Sequence, residues 1–234
     1  MSTRGTIGFV INGEEKLGYN HMDSYPSGMG VEVLAFLREV PLEKMKEKAS
    51  ALQVVDDDVP ATREQILALR ETTSWNVNQY SMAGPQPEDV SPTSPDGLPD
   101  TNVGWYNLLR ATQGDLKAIL EAGYMEDGHL FPLDSLFCEW AYVIDLDAEV
   151  LEVYEGFQKR RPKHGRWAGR PTDAENRKNH RLHLARCKEQ GREPWEEITP
   201  QYKAVELVAS YSLTGTLPSN EVFVAEVDPR EEEK

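Results

Sequence analysis

Asn12-Gly13 is the feature that most narrows what this chain can become. Both positions of a two-residue hairpin loop need positive φ, and Asn-Gly accepts it most readily. Before it, Ile7, Phe9 and Ile11 alternate with Thr6, Gly8 and Val10; after it, Leu17, Tyr19 and His21 alternate with Lys16, Gly18 and Asn20. The spacing predicts an antiparallel ribbon. Gly5, Gly8 and Gly18 within these strands point to close approach of backbone or ligand. The return strand stops at Tyr25-Pro26, Gly28 and Gly30 loosen the chain, and Val31 to Leu37 reads as a buried helix.

Leu42, Met45, Ala49 and Leu52 then recur at helical spacing, and Thr62 with Gln65 forms a capping box that opens a helix through Arg70. Five prolines between 81 and 103 predict a long loop. Trp105, Leu108 and Leu109, then Leu116, Ile119 and Leu120, mark two helical segments broken near Gly114-Asp115, with Gly123 where a helix-ending glycine belongs. Cys138, Trp140, Tyr142, Ile144 and Leu146 line one face of a second hairpin, which returns over Val150 to Tyr154. Val205 to Leu213 and Val222 to Val227 read as a final strand pair. Six strands in three sequential pairs, with helices between the first and second pairs, give an α+β fold class with a largely antiparallel sheet.

Charge divides the chain unevenly. The net charge is -15, yet residues 158–192 hold twelve Lys/Arg against three acids. Thr172 with Glu175 is another capping box and Gly191 a stop, which predicts a helix from Asp173 to Gln190. The expected organisation is one α+β domain over 1–157 and 193–227, a Pro-rich loop over 81–103, a basic helical insertion over 158–192, and an acidic disordered tail over 228–234. Two cysteines give no disulfide framework and direct the chain to a reducing cytoplasm. No signal segment is visible, and no apolar run reaches the roughly 20 residues of a membrane span.

If the second strand stays extended, Tyr19, His21 and Asp23 share a face, with Arg4 on the neighbouring strand. Asp23 would then orient His21 as a base, and Tyr25 would donate to a developing charge. The plainer reading makes Tyr19 and His21 half-buried sheet residues and Asp23 a loop cap. In the basic stretch Arg160, Arg161, Lys163, Arg166, Arg170, Arg177, Lys178 and Arg181 suit phosphate contact, with Trp167 for stacking. Equally, these cations suit pairing with the acidic remainder, within the chain or in a homo-oligomer. His180, His183 and Cys187 share a helix face but offer three ligands where structural zinc takes four, so no metal is expected. No glycine loop that cradles phosphates is present, and no cofactor is expected.

Two resemblances add to this. Thr3-Arg4-Gly5, an apolar strand, Tyr19 and Asp23-x-Tyr25-Pro26-x-Gly28-x-Gly30 together resemble a group of uncharacterised bacterial and phage proteins that open with Met-x-Thr-Arg. That likeness covers about the first forty residues. It implies an accessory protein of a phage or mobile element and no established activity. The hairpin start and Tyr19-Asn20-His21-Met22-Asp23 also resemble the opening of N-terminal-nucleophile hydrolases of the choloylglycine type. That resemblance implies Ser2 as nucleophile, once Met1 is lost, and Asp23 as partner of its amine, with Ser standing where the family usually has Cys. The leading expectation is a protein that binds a macromolecule, either a host protein or nucleic acid. The alternatives are an amide hydrolase or transferase and a nucleotide or small-ligand binder.

Overall fold

The computed structural model describes residues 3–56, 59–72, 104–170, 184–193 and 202–229. Strands β1 (Gly5–Ile11) and β2 (Glu14–Asn20) pair antiparallel with Ile11 opposite Glu14, and the turn between them has φ of 55° at Asn12 and 75° at Gly13. Both turn amides donate to the Asp147 carboxylate, at 2.9 and 2.8 Å. Those two bonds hold the Asp147 carboxyl below its usual range. Asp147 lies in the turn of the second hairpin, between β5 (Trp140–Asp145) and β6 (Val150–Glu155), so the two hairpin tips are tied together.

The hairpins join through their first strands. β1 runs parallel to β5 from Gly5 opposite Trp140 to Val10 opposite Asp145, and β7 (Glu206–Ser212) adds antiparallel to β6. The order β2-β1-β5-β6-β7 makes one mixed five-stranded sheet, accompanied by a parallel pair of β3 (Gln53–Val55) and β4 (Tyr124–Glu126). The fold is therefore α+β, with a different strand set from the three sequential pairs expected.

The final expected strand is helix α7 (Asn220–Val227), opened by the Ser219 hydroxyl accepting from Val222 N–H. Val222 to Val227 is too short an apolar run for its period to separate strand from helix. Packing decides it. Phe223 is fully buried under Gly30 and against Tyr211, and Val227 follows one turn later on the same side.

Helices α1 (Val31–Glu39), α2 (Leu42–Ala51), α5 (Leu116–Ala122) and α7 cover one face of the sheet. Under them lie Ile7, Phe9, Tyr142, Ile144, Leu151 and Val153. Coil covers the other face. There Val10, Leu17, Ala141, Val143 and Tyr154 meet Trp167, Ala204 and Val205. Among the described residues the five-stranded sheet thus lies between helices on one face and coil on the other. A third cluster joins Ile66 and Leu69 of α3 (Arg63–Thr72) to Trp105, Leu108 and Leu109 of α4 (Trp105–Leu109).

Local capping follows the sequence closely. Thr62 and Gln65 exchange reciprocal bonds, Asp115 accepts from Lys117 and Ala118 N–H, and Gly123 ends α5 at a φ of 73°. One cap is not local. Lys16, on the helix-covered face, is buried and donates to Ala49 O, Ser50 O and Leu52 O, neutralising the C-terminal end of α2. A short helix, α6 (184–190), is what the described residues show of the expected Asp173–Gln190 helix. No helix among the described residues is long and apolar enough to cross a membrane. The long 81–103 loop and the 230–234 end of the acidic tail lie outside the described residues.

A Cβ at Gly5 would stand 2.5 Å from the Trp140 carbonyl oxygen and 2.6 Å from Ser24 Cβ, at the start of the β1–β5 ladder. Gly5→Ala is expected to cost about 2–3 kcal/mol in urea unfolding, because a backbone oxygen cannot swing aside.

Candidate functional site

The geometry at the exit of the first ribbon divides the expected N-terminal set. β2 ends at Asn20, and Asp23 takes a φ of 55° with its carbonyl accepting Met29 N–H at 2.9 Å. The extended run needed to put Tyr19, His21 and Asp23 on one face therefore stops short. Tyr19 lies on the coil-covered face, edge-on to Phe131 at 4.9 Å, and its hydroxyl is 2.8 Å from His21 Nδ1. Burial raises the Tyr19 phenol above its ordinary value, Arg4 opposes that shift, and Tyr106 adds to it. Arg4 also sits 5.0 Å over the Phe137 ring. So Arg4, Tyr19 and His21 do meet, and Asp23 turns away.

His21 and Asp23 instead line a cleft of ≈ 590 Å³ on the helix side of the sheet edge. Its apolar floor is Ile7, Met29, Val33, Phe36 and Leu116. Its rim carries Asp23, Glu32, Tyr106 and Arg110, and the Lys117–Glu39 ion pair bridges α5 to α1 across it. Met29 comes from Pro26–Gly30, a wide π-turn in which Val31 N–H reaches back to Pro26 O. Asn20 bonds Ser24 Oγ at 2.8 Å, and Tyr142 donates to Ser24 O at 3.0 Å, which holds the exit loop over the cleft. Tyr25 packs into the main core and is not part of the lining. Tyr19 borders a separate hollow of ≈ 400 Å³ with Asp127, His129 and Asp134.

The basic stretch does not begin as a helix. Residues 158–170 are coil laid across the second face of the sheet. Arg166 is the anchor: it pairs with Glu15 of β2 at 3.2 Å, Asp145 of β5 at 2.8 Å and Glu152 of β6 at 2.7 Å. Arg170 makes a second contact with Glu15. Trp167 is fully buried with its ring 4.4 Å from Tyr154, so its faces belong to the core and cannot stack on a base. Arg166, Trp167 and Arg170 are thus engaged within the chain, while Arg160, Arg161 and Lys163 are exposed. Ser2, Arg177, Lys178, Arg181, His180 and His183 lie outside the described residues. The described residues contain no group of three potential metal ligands.

Sequence reasoning missed an exposed apolar patch beside this coil. Leu136, Phe137 and Phe157 are 41%, 42% and 51% exposed. Phe157 N–H donates to Ser135 O and Gln158 N–H to Ser135 Oγ, which draws the two segments together, and Phe157 meets Tyr202 edge-on. Phe157 is held at a φ of 58°, a left-handed conformation that a bulky side chain occupies only when its surroundings impose it. Leu136-Phe137, two adjacent apolar residues just before an alternating strand, was the available signal.

Comparison with known proteins gave no match to any family model, to any curated protein or to any solved structure.

Arg166 is mostly buried among three carboxylates, so removing it strands them. Arg166→Ala is expected to lower unfolding free energy by about 3 kcal/mol, measured in urea. Burial also pushes the Cys138 thiol from an ordinary 9.0 up to about 12 and raises the Tyr154 and Tyr211 phenols. Each group is held in its protonated form by folding. This stabilisation is complete below the thiol's ordinary value and is lost as pH rises through the folded-state values. Unfolding free energy is expected to decline steadily from about pH 9 upward, with Cys138 inert to alkylating reagents at pH 8 until the protein unfolds.

Proposed function

We propose that this chain acts by binding a macromolecular partner, a protein surface that presents acidic side chains around apolar ones. Leu136, Phe137 and Phe157 are the apolar anchors, and Arg4, Lys159 and Arg160 are the cations at their margin. The single observation that carries the reading is Phe157: an aromatic ring half exposed on a backbone that favours glycine. Strain of this kind costs on the order of 1–3 kcal/mol and collects at functional positions. Full burial of such a ring against a partner returns about 1.5–3 kcal/mol. Cation–π contacts of Arg4 with Phe137, and of Lys159 with Tyr202 at 5.9 Å, place positive charge at the same edge.

A protein suits this surface better than nucleic acid. The net charge of -15 over the whole chain repels a polyanion, and Trp167 has no free face for a base. The resemblance of the first forty residues supplies a setting: an accessory protein of a phage or mobile element that interferes with a host system. A second copy of the chain, acidic as it is, is the simplest competitor, and the molar mass in solution distinguishes it.

The amide-hydrolase reading keeps one supporting observation. Ser24 N–H donates to Thr3 O at 3.1 Å, which brings the start of β1 beside the Asp23 loop. Intact mass tests it directly, since retention of Met1 in active protein removes the Ser2 amine that this chemistry needs.

Phe157→Gly relieves the left-handed strain and deletes the anchor. It is expected to leave the melting temperature equal or higher while weakening partner binding at least tenfold, and Phe137→Ala to weaken it similarly. The comparison is quantitative capture from a bacterial host lysate by wild type and both variants across a salt series. Partners that both variants retain equally, or that detach steeply with salt as nucleic acid does, would sink the proposal.

A further inference from the structure

The ≈ 590 Å³ cleft lies within the roughly 300–1,000 Å³ range of sites that enclose drug-sized ligands. Its floor is apolar and already assembled: Ile7, Met29, Val33, Phe36 and Leu116 are each less than a tenth exposed, and each abuts the opening. Its rim is charged with both signs. Asp23 and Glu32 stand on the side of the exit loop and α1, and Arg110 stands on the side of α4. None of these three has an ion-pair partner among the described residues, whereas the neighbouring Lys117 and Glu39 neutralise each other. An apolar floor asks for an apolar body, and unpaired charges of opposite sign at the rim ask for a ligand carrying both.

We propose that this cleft binds a short zwitterionic peptide of two or three residues with apolar side chains. Its carboxylate meets Arg110, its ammonium meets Asp23 and Glu32, and its side chains cover the Phe36–Met29 floor. A single amino acid would fill only part of the ≈ 590 Å³, and a lone anion or cation would leave one set of rim charges unanswered. The Tyr19 hydroxyl on His21 Nδ1 fixes the imidazole at the rim, where it adds a polar contact. The site shares no residue with the Leu136–Phe157 surface, so either proposal can fail while the other stands.

Isothermal titration with the dipeptide Leu-Phe tests this, beside N-acetyl-Leu-Phe, which lacks the ammonium, and Leu-Phe amide, which lacks the carboxylate. Saturable Leu-Phe binding is expected, with each blocked peptide at least tenfold weaker. Arg110→Ala should remove the preference for the free carboxylate, and Glu32→Gln should reduce the preference for the free ammonium. Both residues are exposed, so the melting temperature should hold. Ala35→Trp, which places an indole on the solvent side of α1 at the mouth of the cleft, should abolish binding with the fold intact. No saturable binding of Leu-Phe at millimolar concentration would overturn the proposal. So would equal binding of the blocked peptides, or affinity unchanged by Arg110→Ala and Ala35→Trp.

Discussion

The parallel ladder between β1 and β5 is the constraint on which the rest of this molecule depends. A parallel pair cannot be closed by a tight turn; it needs a crossover long enough to return to the same end of the sheet. Here the crossover carries α1 to α5, of which α1, α2 and α5 cover one face. Pairing the two hairpins edge to edge also leaves β1 with a neighbour on both sides, and every residue from Gly5 to Ile11 is buried. That burial in turn requires Lys16 on the adjacent strand to find partners, and it finds them in the last carbonyls of α2. Burying an ammonium group without such partners would cost several kcal/mol.

The opposite face is closed by electrostatics as much as by apolar packing. Glu15, Asp145 and Glu152 project from three strands toward one point, and Arg166 arrives there from the coil. Three carboxylates so placed would repel one another strongly without it. The guanidinium therefore fixes where the 158–170 coil lies, and Trp167 follows it into the core. A stretch that reads as a cationic arm is, in its first third, a strap across the sheet. What it leaves at the surface is the Lys159–Arg160 end, next to Phe157.

The two candidate contact regions consequently sit on different sides of the sheet, with Tyr19 and His21 at the edge between them. The helix-side cleft is a half-open hollow with an apolar floor, and its rim holds both charge signs. The coil-side surface is open and apolar with cations at its margin. These are different kinds of recognition, one suited to a small molecule and one to a protein surface.

Sequence by itself determined the features that close within a few residues. The Asn12-Gly13 turn, the Thr62–Gln65 box, the Asp115 cap and the Gly123 stop each depend on one side chain and its near neighbours, so their chemistry is legible without a fold. The meeting of Arg4 and Tyr19 across adjacent strands was legible too, because hairpin register follows from the turn. Only the tertiary structure decided that Asp23 turns from Tyr19 and His21 toward a cleft built with α1 and α4. It also decided that Val222–Val227 coils into a helix under Gly30, that Arg166 is internal, and that Phe137 and Phe157 remain in solvent. Each of those depends on segments far apart in the chain, and their side chains carry the same residue types whether they end buried, paired or exposed.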